Sequence, residues 1–317
     1  MEAVVLNVKK EFAVQAEALS LGYEDLGSVF WAVRDVHLEI EKGSSLCIVG
    51  ESGSGKTTLG NAIAGLLPPY VRVAGKLVIE GVEVIKDSRV IGANKIRGRI
   101  VTKIPQNPAT SLNPYVRIEQ MFYDVLRDVR GIREKRIARE EISKLVSAVG
   151  LEEDVLYMYP HELSGGMSQR VTIALALASK PSIIVADEPT SNLDAYLKGY
   201  IVRLIRDLSD KFGISLVVIT HDISITEVVC KDMVVMFLGE IVERGHVKDI
   251  IRAPLHPYSS ELIEAVNLES ASYKPKKYAG GCVYHARCPH ASNECLKPPP
   301  LLKLSDGREV KCWRQAR

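Results

Sequence analysis

The period of apolar and polar positions changes several times along the chain. Between residues 12 and 40 the apolar residues alternate in short stretches, which predicts short strands with a loop around Gly22 to Ser28. Leu38 and Ile40 alternate with polar neighbours, as on a half-buried strand. A compact apolar run at 45–49 ends in a glycine-rich turn, and 58–67 reads as a helix stopped by Pro68-Pro69. Val71/Val73 and Leu77/Ile79 alternate again, which suggests a small antiparallel layer. From 118 to 156 the period turns helical: Ile142, Leu145, Val146 and Val149 recur at i, i+3, i+4 and i+7, with the charges of 133–141 as a solvated face. Beyond lie a helix at 167–179, a strand at 182–186, a helix at 195–211 and a strand at 214–220, then a helix at 223–229 and strands at 233–238 and 240–242. Continuous apolar strands alternating with helices predict an α/β fold with a mainly parallel sheet covered on both faces. Neither an internal repeat nor a sustained heptad is found.

Composition narrows the classes. Of 317 residues 46% are hydrophobic and 25% charged, so the chain is not of the disordered type. Lys and Arg number 41 against 39 Asp and Glu, and a net charge of +2 gives no ground for a nucleic-acid partner. No run approaches the roughly 18 apolar residues of a membrane span. Charges at Glu2, Lys9, Lys10 and Glu11 do not suit a signal peptide, so a cytoplasmic location is expected. Cys47 and Cys230 stand alone in apolar surroundings, whereas Cys282, Cys288, Cys295 and Cys312 gather near the C-terminus with Pro298-Pro299-Pro300, marking a separate module.

Gly50-Glu51-Ser52-Gly53-Ser54-Gly55-Lys56-Thr57 fills every fixed position of G-x-x-x-x-G-K-[ST], between a strand and a helix. Gly50, Gly53 and Gly55 let backbone N–H groups, with that of Ser52, turn around a phosphate. Lys56 would neutralise the β- and γ-phosphates, and Thr57 would ligate Mg²⁺. The helix opening at Thr58 aims its positive end at the same anion. This is a nucleoside triphosphate site. Residues 183–186 form an apolar strand ending in Asp187-Glu188. Asp187 is expected to hold Mg²⁺ and Glu188 to polarise the attacking water, the alternative being carboxylates that cap the next helix.

Leu163-Ser164-Gly165-Gly166-Met167-Ser168-Gln169-Arg170 precedes an apolar helix. Here the chain resembles the ATP-binding subunits of ABC transporters. Gln106 resembles the Q-loop glutamine, Ser191-Asn192-Leu193-Asp194 the D-loop, and Thr220-His221-Asp222 the switch-histidine segment, all in the family order. The resemblance implies a RecA-like P-loop NTPase core with an antiparallel β subdomain and an α-helical subdomain. It places the nucleotide-binding domain at 1–252, the helical subdomain at about 110–170 and a Cys-containing C-terminal extension at 253–317. It also implies a head-to-tail dimer in which Ser164, Gly165 and Gly166 of one subunit close on the ATP held by its partner, with Asp194 at the same junction. His221 would bond the γ-phosphate, and Gln106 would sense Mg²⁺ and water. Tyr23 is the first choice to stack on adenine, with Phe30 and Trp31 as competitors.

Ala109-Thr110-Ser111-Leu112-Asn113-Pro114 and His256-Pro257-Tyr258 resemble the oligopeptide and dipeptide importer ATPases, whose relatives also serve nickel and oligosaccharide importers. The resemblance implies a second ATP-binding subunit, two transmembrane permease subunits and an external solute-binding protein, with this chain peripheral on the cytoplasmic face of the membrane. Met167 resembles the first of two paralogous ATPases, which favours a heterodimer. The four C-terminal cysteines are separated by five, six and sixteen residues, a spacing open to zinc, an Fe–S cluster, disulfides or free thiols. His285 and His290 lie close enough to be alternative ligands, the commoner reading of such residues being exposed loop positions. In the family such a tail binds a [4Fe–4S] cluster in some members, so the resemblance favours that cofactor beside ATP and Mg²⁺, with zinc next. A soluble ABC ATPase acting on nucleic acid or ribosomes, and a subunit that binds ATP without hydrolysing it, are the rival readings.

Overall fold

The computed structural model of the protein describes residues 11–25, 27–191, 193–264 and 280–316. Part of the N-terminal segment judged unlike a signal peptide, and Asn192 of the D-loop motif, lie outside the described residues.

β1 (Phe12–Asp25) and β2 (Ser28–Glu41) form one long hairpin rather than the short strands expected, and Gly22 sits inside it, paired with Trp31. The register shifts between Ala16 and Leu19 and again before Gly22, and each shift resets the two-residue alternation, which fragments the sequence signal. β3 (Ser45–Val49) leads to the glycine-rich loop and α1 (Lys56–Ile63). α1 ends before its expected limit at 67. Gly65 adopts φ +68° and the Leu66 N–H returns to the Asn61 carbonyl at 2.8 Å, a left-handed closure reached before the prolines. β4 (Val71–Ile79), β5 (Val82–Lys86) and β6 (Arg89–Val90) complete an antiparallel sheet of order β2-β1-β4-β5-β6.

α2 (Ala93–Ile96) and β7 (Val101–Ile104) return the chain to the central sheet. A helical layer follows in α3 (Pro108–Ser111), α4 (Ile118–Asp128), α5 (Lys135–Ala148) and α6 (Gly165–Ala178). Ile118, Phe122 and Leu126 on α4 and Ala138, Ile142 and Val146 on α5 form the buried stripes that join these helices. The charges of 133–141 are only partly a solvated face. Arg139 bridges Glu119 at 2.6 Å and Glu153 at 3.0 Å, and Arg130 meets Glu141 at 3.0 Å, so they also stitch neighbouring segments together.

The remaining core elements are β8 (Ile183–Asp187), α7 (Ala195–Phe212), β9 (Ser215–Thr220), α8 (Thr226–Val229), β10 (Asp232–Phe237) and β11 (Glu240–His246). They lead on to α9 (Val247–Arg252), α10 (Pro257–Glu264), β12 (Leu301–Lys303) and β13 (Glu309–Lys311). The second sheet has the order β12-β13-β11-β10-β3-β9-β8-β7, with β10, β3, β9, β8 and β7 parallel. Alternation divides its two faces. Cys47, Val49, Val218, Ala186 and Val235 pack towards the helical layer, while Ile48, Ile219, Val185 and Met236 pack towards α1 and the antiparallel sheet. Among the described residues, no helix is long and apolar enough to cross a membrane.

Cys47 and Cys230 do not stand alone. β3 runs beside β10, and the two sulfurs are joined in a disulfide that spans 183 residues of sequence. A pairing between residues so distant carries no spacing signal. At the far edge of the sheet, the buried Glu243 of β11 accepts the Leu255 and His256 N–H groups, both at 2.9 Å, and burial holds its carboxyl above the usual range. His256 is 1% exposed and accepts the Tyr258 N–H on Nδ1 at 3.1 Å; burial pushes its pKa down to about 3.

Two outcomes are expected. In denaturant without reductant four of the chain's six cysteines should react with a thiol reagent, and all six after reduction; six before reduction would contradict the bridge. Loop-closure entropy makes such a bridge worth up to about 5 kcal/mol, so reductant should lower the urea midpoint of the wild type and leave that of Cys47→Ala/Cys230→Ala unmoved. The second concerns pH. The unfolded chain takes up a proton on His256 near its ordinary 6.5 that the folded chain refuses until about 3. This contribution therefore lowers stability as pH falls through that window, by up to about 1.4 kcal/mol per unit. His256→Asn, whose amide oxygen can replace Nδ1 as acceptor, should show a shallower loss between pH 7 and 5 in urea denaturation; equal slopes would contradict it.

Candidate nucleotide-binding site

Strand register brings the motif ends to one edge. Val49 of β3 pairs with Thr220 of β9, Ile219 with Asp187 of β8, and Ala186 with Ile104 of β7. The next residues on each strand, Gly50, His221, Glu188 and the segment reaching Gln106, therefore emerge together at the carboxyl ends of the parallel strands, where open α/β sheets hold ligands.

The Gly50–Thr57 loop is tightly confined. A Cβ on Gly50, at φ +152°, would stand 2.2 Å from the Met236 carbonyl oxygen, and one on Gly55, at φ +99°, 2.2 Å from that of Ala32. Only glycine fits at these two positions. The Gly239 N–H also donates to the Ser54 carbonyl at 3.0 Å, tying the loop to the turn between β10 and β11. Lys56 is 6% exposed and donates to the carbonyls of Gly50 and Glu51 at 2.7 and 2.8 Å. Burial lowers its pKa, and the Glu188, Asp187 and Glu51 carboxylates oppose that shift. Ser52, Gly53 and Thr57 are exposed at the mouth.

Thr57 Oγ1 donates to Asp187 Oδ1 at 3.3 Å, and the second Asp187 oxygen pairs with Lys103 of β7 at 2.8 Å. A hydroxyl beside a buried carboxylate is a hard oxygen donor set, and it fits Mg²⁺ whose other ligands are phosphate and water. Glu188 adopts φ +47°; its N–H donates to the Ile219 carbonyl at 2.8 Å and its carboxylate shares a 2.8 Å hydrogen bond with His221 Nδ1. The Glu188 side chain is 12% exposed and that of His221 66%, so the pair faces out from a dry wall. Gln106 is exposed, and its main-chain carbonyl accepts the Ser191 hydroxyl at 3.2 Å.

Other expected residues lie apart from this cluster. Tyr23 is half-buried and makes a long 3.5 Å contact from its hydroxyl to Thr58 Oγ1, with its ring 6.5 Å from that of Tyr70. Ser164 caps α6, accepting the Met167 N–H at 3.3 Å, with Gly165 exposed and Gly166 half-buried at the helix start. Asp194 caps α7 in the same way, accepting the Leu197 N–H at 3.0 Å. Lys103 and Arg287 were not singled out from the sequence, and Tyr258 stood only within the His256-Pro257-Tyr258 motif, without a role. A lysine between the buried Val101 and Ile104 of β7 was the available signal for the first, because a buried cation implies a facing acid.

The four C-terminal cysteines are free thiols. Cys282, Cys295 and Cys312 are buried and Cys288 is half-buried. The expected [4Fe–4S] cluster is overturned, and zinc fares no better: among the described residues no group of three or more His, Cys, Asp or Glu is disposed to hold a metal ion. Burial pushes the Cys282 thiol up to about 11, helped by the neighbouring cysteines, and raises Cys288 and Cys312 for the same reasons. No chemistry is assigned to a metal in this module.

Comparison with known proteins agrees with the geometry. Residues 33–191 match the family model described as ABC transporter, and 242–295 that of the oligopeptide/dipeptide transporter, C-terminal region. The oligopeptide transport ATP-binding protein OppD of Salmonella typhimurium is 37% identical over 89% of this chain and 88% of its own length. The dipeptide transport ATP-binding protein DppD of Escherichia coli is 36% identical over 94% and 95%. Among solved structures, the dimeric ATP-binding cassette MJ0796 in a post-hydrolysis state with ADP and Pi superposes with a TM-score of 0.65 at 29% identity, over 74% of this chain and 98% of that one. The chain belongs to the ABC transporter family, as an ATPase cassette of α/β fold that carries the C-terminal region of the oligopeptide/dipeptide transporters.

Proposed function

We propose that this chain is one of two ATP-binding subunits powering an importer of peptides or related small oligomeric solutes. Its partners in this reading are a second, paralogous ATP-binding subunit and two membrane-spanning permease subunits at the cytoplasmic face, with an external solute-binding protein reached through them. The names of the relatives and the match to the oligopeptide/dipeptide C-terminal region support the solute class. In this reading residues 1–252 are the nucleotide-binding domain, with a helical subdomain at about 110–170, and 253–317 are the extension.

The single observation that carries the catalytic assignment is the convergence of Lys56, Asp187, Glu188 and His221 at one sheet edge. Lys56 exchanges its carbonyl partners for the β- and γ-phosphates. Thr57 and Asp187 hold Mg²⁺, which neutralises charge on the phosphate oxygens when bound, with Gln106 monitoring that shell. Glu188 takes a proton from the water attacking the γ-phosphate in line, and His221, already bonded to Glu188, donates to a γ-phosphate oxygen. Tyr23 stacks on adenine. Ser164, Gly165, Gly166 and Asp194 are engaged by the partner's nucleotide side, so that turnover requires closure of the dimer.

Glu188→Gln keeps the phosphate loop but removes the base. In the reconstituted transporter it should lose about 10²- to 10⁴-fold in turnover, with Mg·ATP affinity essentially that of the wild type. Near-normal hydrolysis would show that another group polarises the water.

A further inference from the structure

Glu51, the second residue of the phosphate loop, is gripped from the C-terminal region. Its N–H donates to the Tyr258 hydroxyl at 2.8 Å. Its carboxylate receives Arg287 through Nη1 at 2.9 Å and Nη2 at 2.7 Å, a two-pronged pairing. These partners lie 207 and 236 residues away in sequence. Neither is a loose surface contact. Tyr258 is fully buried, its ring 4.6 Å from that of Phe237 and 5.5 Å from that of Tyr284. The Arg287 side chain is 14% exposed, lies over the Tyr258 and Tyr284 rings and also pairs with Glu261, which in turn accepts the Tyr284 hydroxyl.

Both grips are anchored from behind. Glu243 holds the main chain of Leu255 and His256, and His256 holds the Tyr258 N–H. Arg287 stands beside Cys288, whose N–H donates to the Tyr284 carbonyl at 3.0 Å, and the Cys282 N–H donates to the Cys295 carbonyl at 2.8 Å within the same module.

The consequence follows from peptide planarity. The Glu51 N–H and the Gly50 carbonyl belong to one rigid plane. Fixing the N–H on Tyr258 therefore fixes the direction of the carbonyl that holds Lys56 Nζ at 2.7 Å. The Glu51 carbonyl, held to Lys56 at 2.8 Å, is steadied in turn by the Arg287 clamp on its side chain.

We propose that Tyr258 and Arg287 are positioning residues for the phosphate loop: they lock the Gly50–Glu51 peptide, set where Lys56 sits, and make nucleotide affinity depend on the C-terminal region. The proposal rests on Lys56 being the phosphate ligand. Nothing is transferred through the contact; it acts by restricting the loop to the arrangement that receives phosphate.

The test is Mg·ATP affinity of the full-length chain by calorimetry, together with its melting midpoint without nucleotide. Tyr258→Phe removes the acceptor but keeps the ring, and should weaken binding about 3- to 10-fold, the worth of one hydrogen bond. Its midpoint should stay within about 1 °C of wild type, less than the roughly 1.5 °C that 1 kcal/mol of lost stability would give a chain of this length. Arg287→Met should weaken binding at least as much, and Arg287→Lys should recover a good part of it. In the assembled transporter the same variants should raise KM for ATP while leaving kcat within about twofold, as expected for lost ground-state positioning. Unchanged affinity in both Tyr258→Phe and Arg287→Met would overturn the proposal while leaving the nucleotide site intact. So would a loss that only follows the unfolded fraction and that lysine does not rescue. A wild-type chain that binds no Mg·ATP would instead undo the phosphate-loop reading beneath it.

Discussion

A lysine ammonium that is almost wholly shut away from water governs the architecture around it. Lys56 can stay charged there only if oxygens replace its hydration shell, and two carbonyls of its own loop do so, with Asp187, Glu188 and Glu51 supplying the opposing charge. That arrangement demands glycine where the loop presses on the Met236 and Ala32 carbonyls, a helix beginning at the lysine itself, and parallel strands whose ends are level. The desolvated cation is an anion site in waiting. Triphosphate oxygens offer it a stronger partner than neutral carbonyls, because a charge-assisted bond exceeds a neutral one.

The surrounding parts divide the work by chemistry. Asp187 is deep, paired with Lys103 and Thr57, and suited to a fixed structural charge at a metal. Glu188, one residue on, turns out of the strand with a positive φ and meets an exposed histidine, which suits a group that must reach substrate. Adjacent carboxylates thus occupy different environments because a strand ends between them. The helix caps Ser164 and Asp194 belong to the outer surface, consistent with use by a second subunit.

The sequence made the motif-bearing edge legible because each motif is local: eight residues for the phosphate loop, a strand and two acids, a strand and a histidine. Four of the five parallel core strands were equally legible, since apolar runs on both faces leave little ambiguity of type; β7, the short edge strand with Thr102 and Lys103 at its centre, was not. What escaped was non-local or masked by irregularity. Bulges in β1 and β2 hid one long hairpin, and Gly65 closed α1 ahead of the prolines. The Cys47–Cys230 bridge and the clasp of Tyr258 and Arg287 on Glu51 join residues about 200 positions apart, where no spacing rule applies. The family resemblance favoured a cluster cofactor for the four C-terminal cysteines, yet in the fold they are free thiols, three of them buried.

The most direct measurement is the affinity of the purified chain for Mg·ATP before and after Lys56→Ala, followed by calorimetry. If the buried ammonium is the phosphate receptor, its removal should weaken binding at least about 10- to 100-fold, the value of a charge-assisted hydrogen bond or two. Equal affinity in the two proteins would contradict the central claim, for it would leave the desolvated lysine without a role in holding nucleotide.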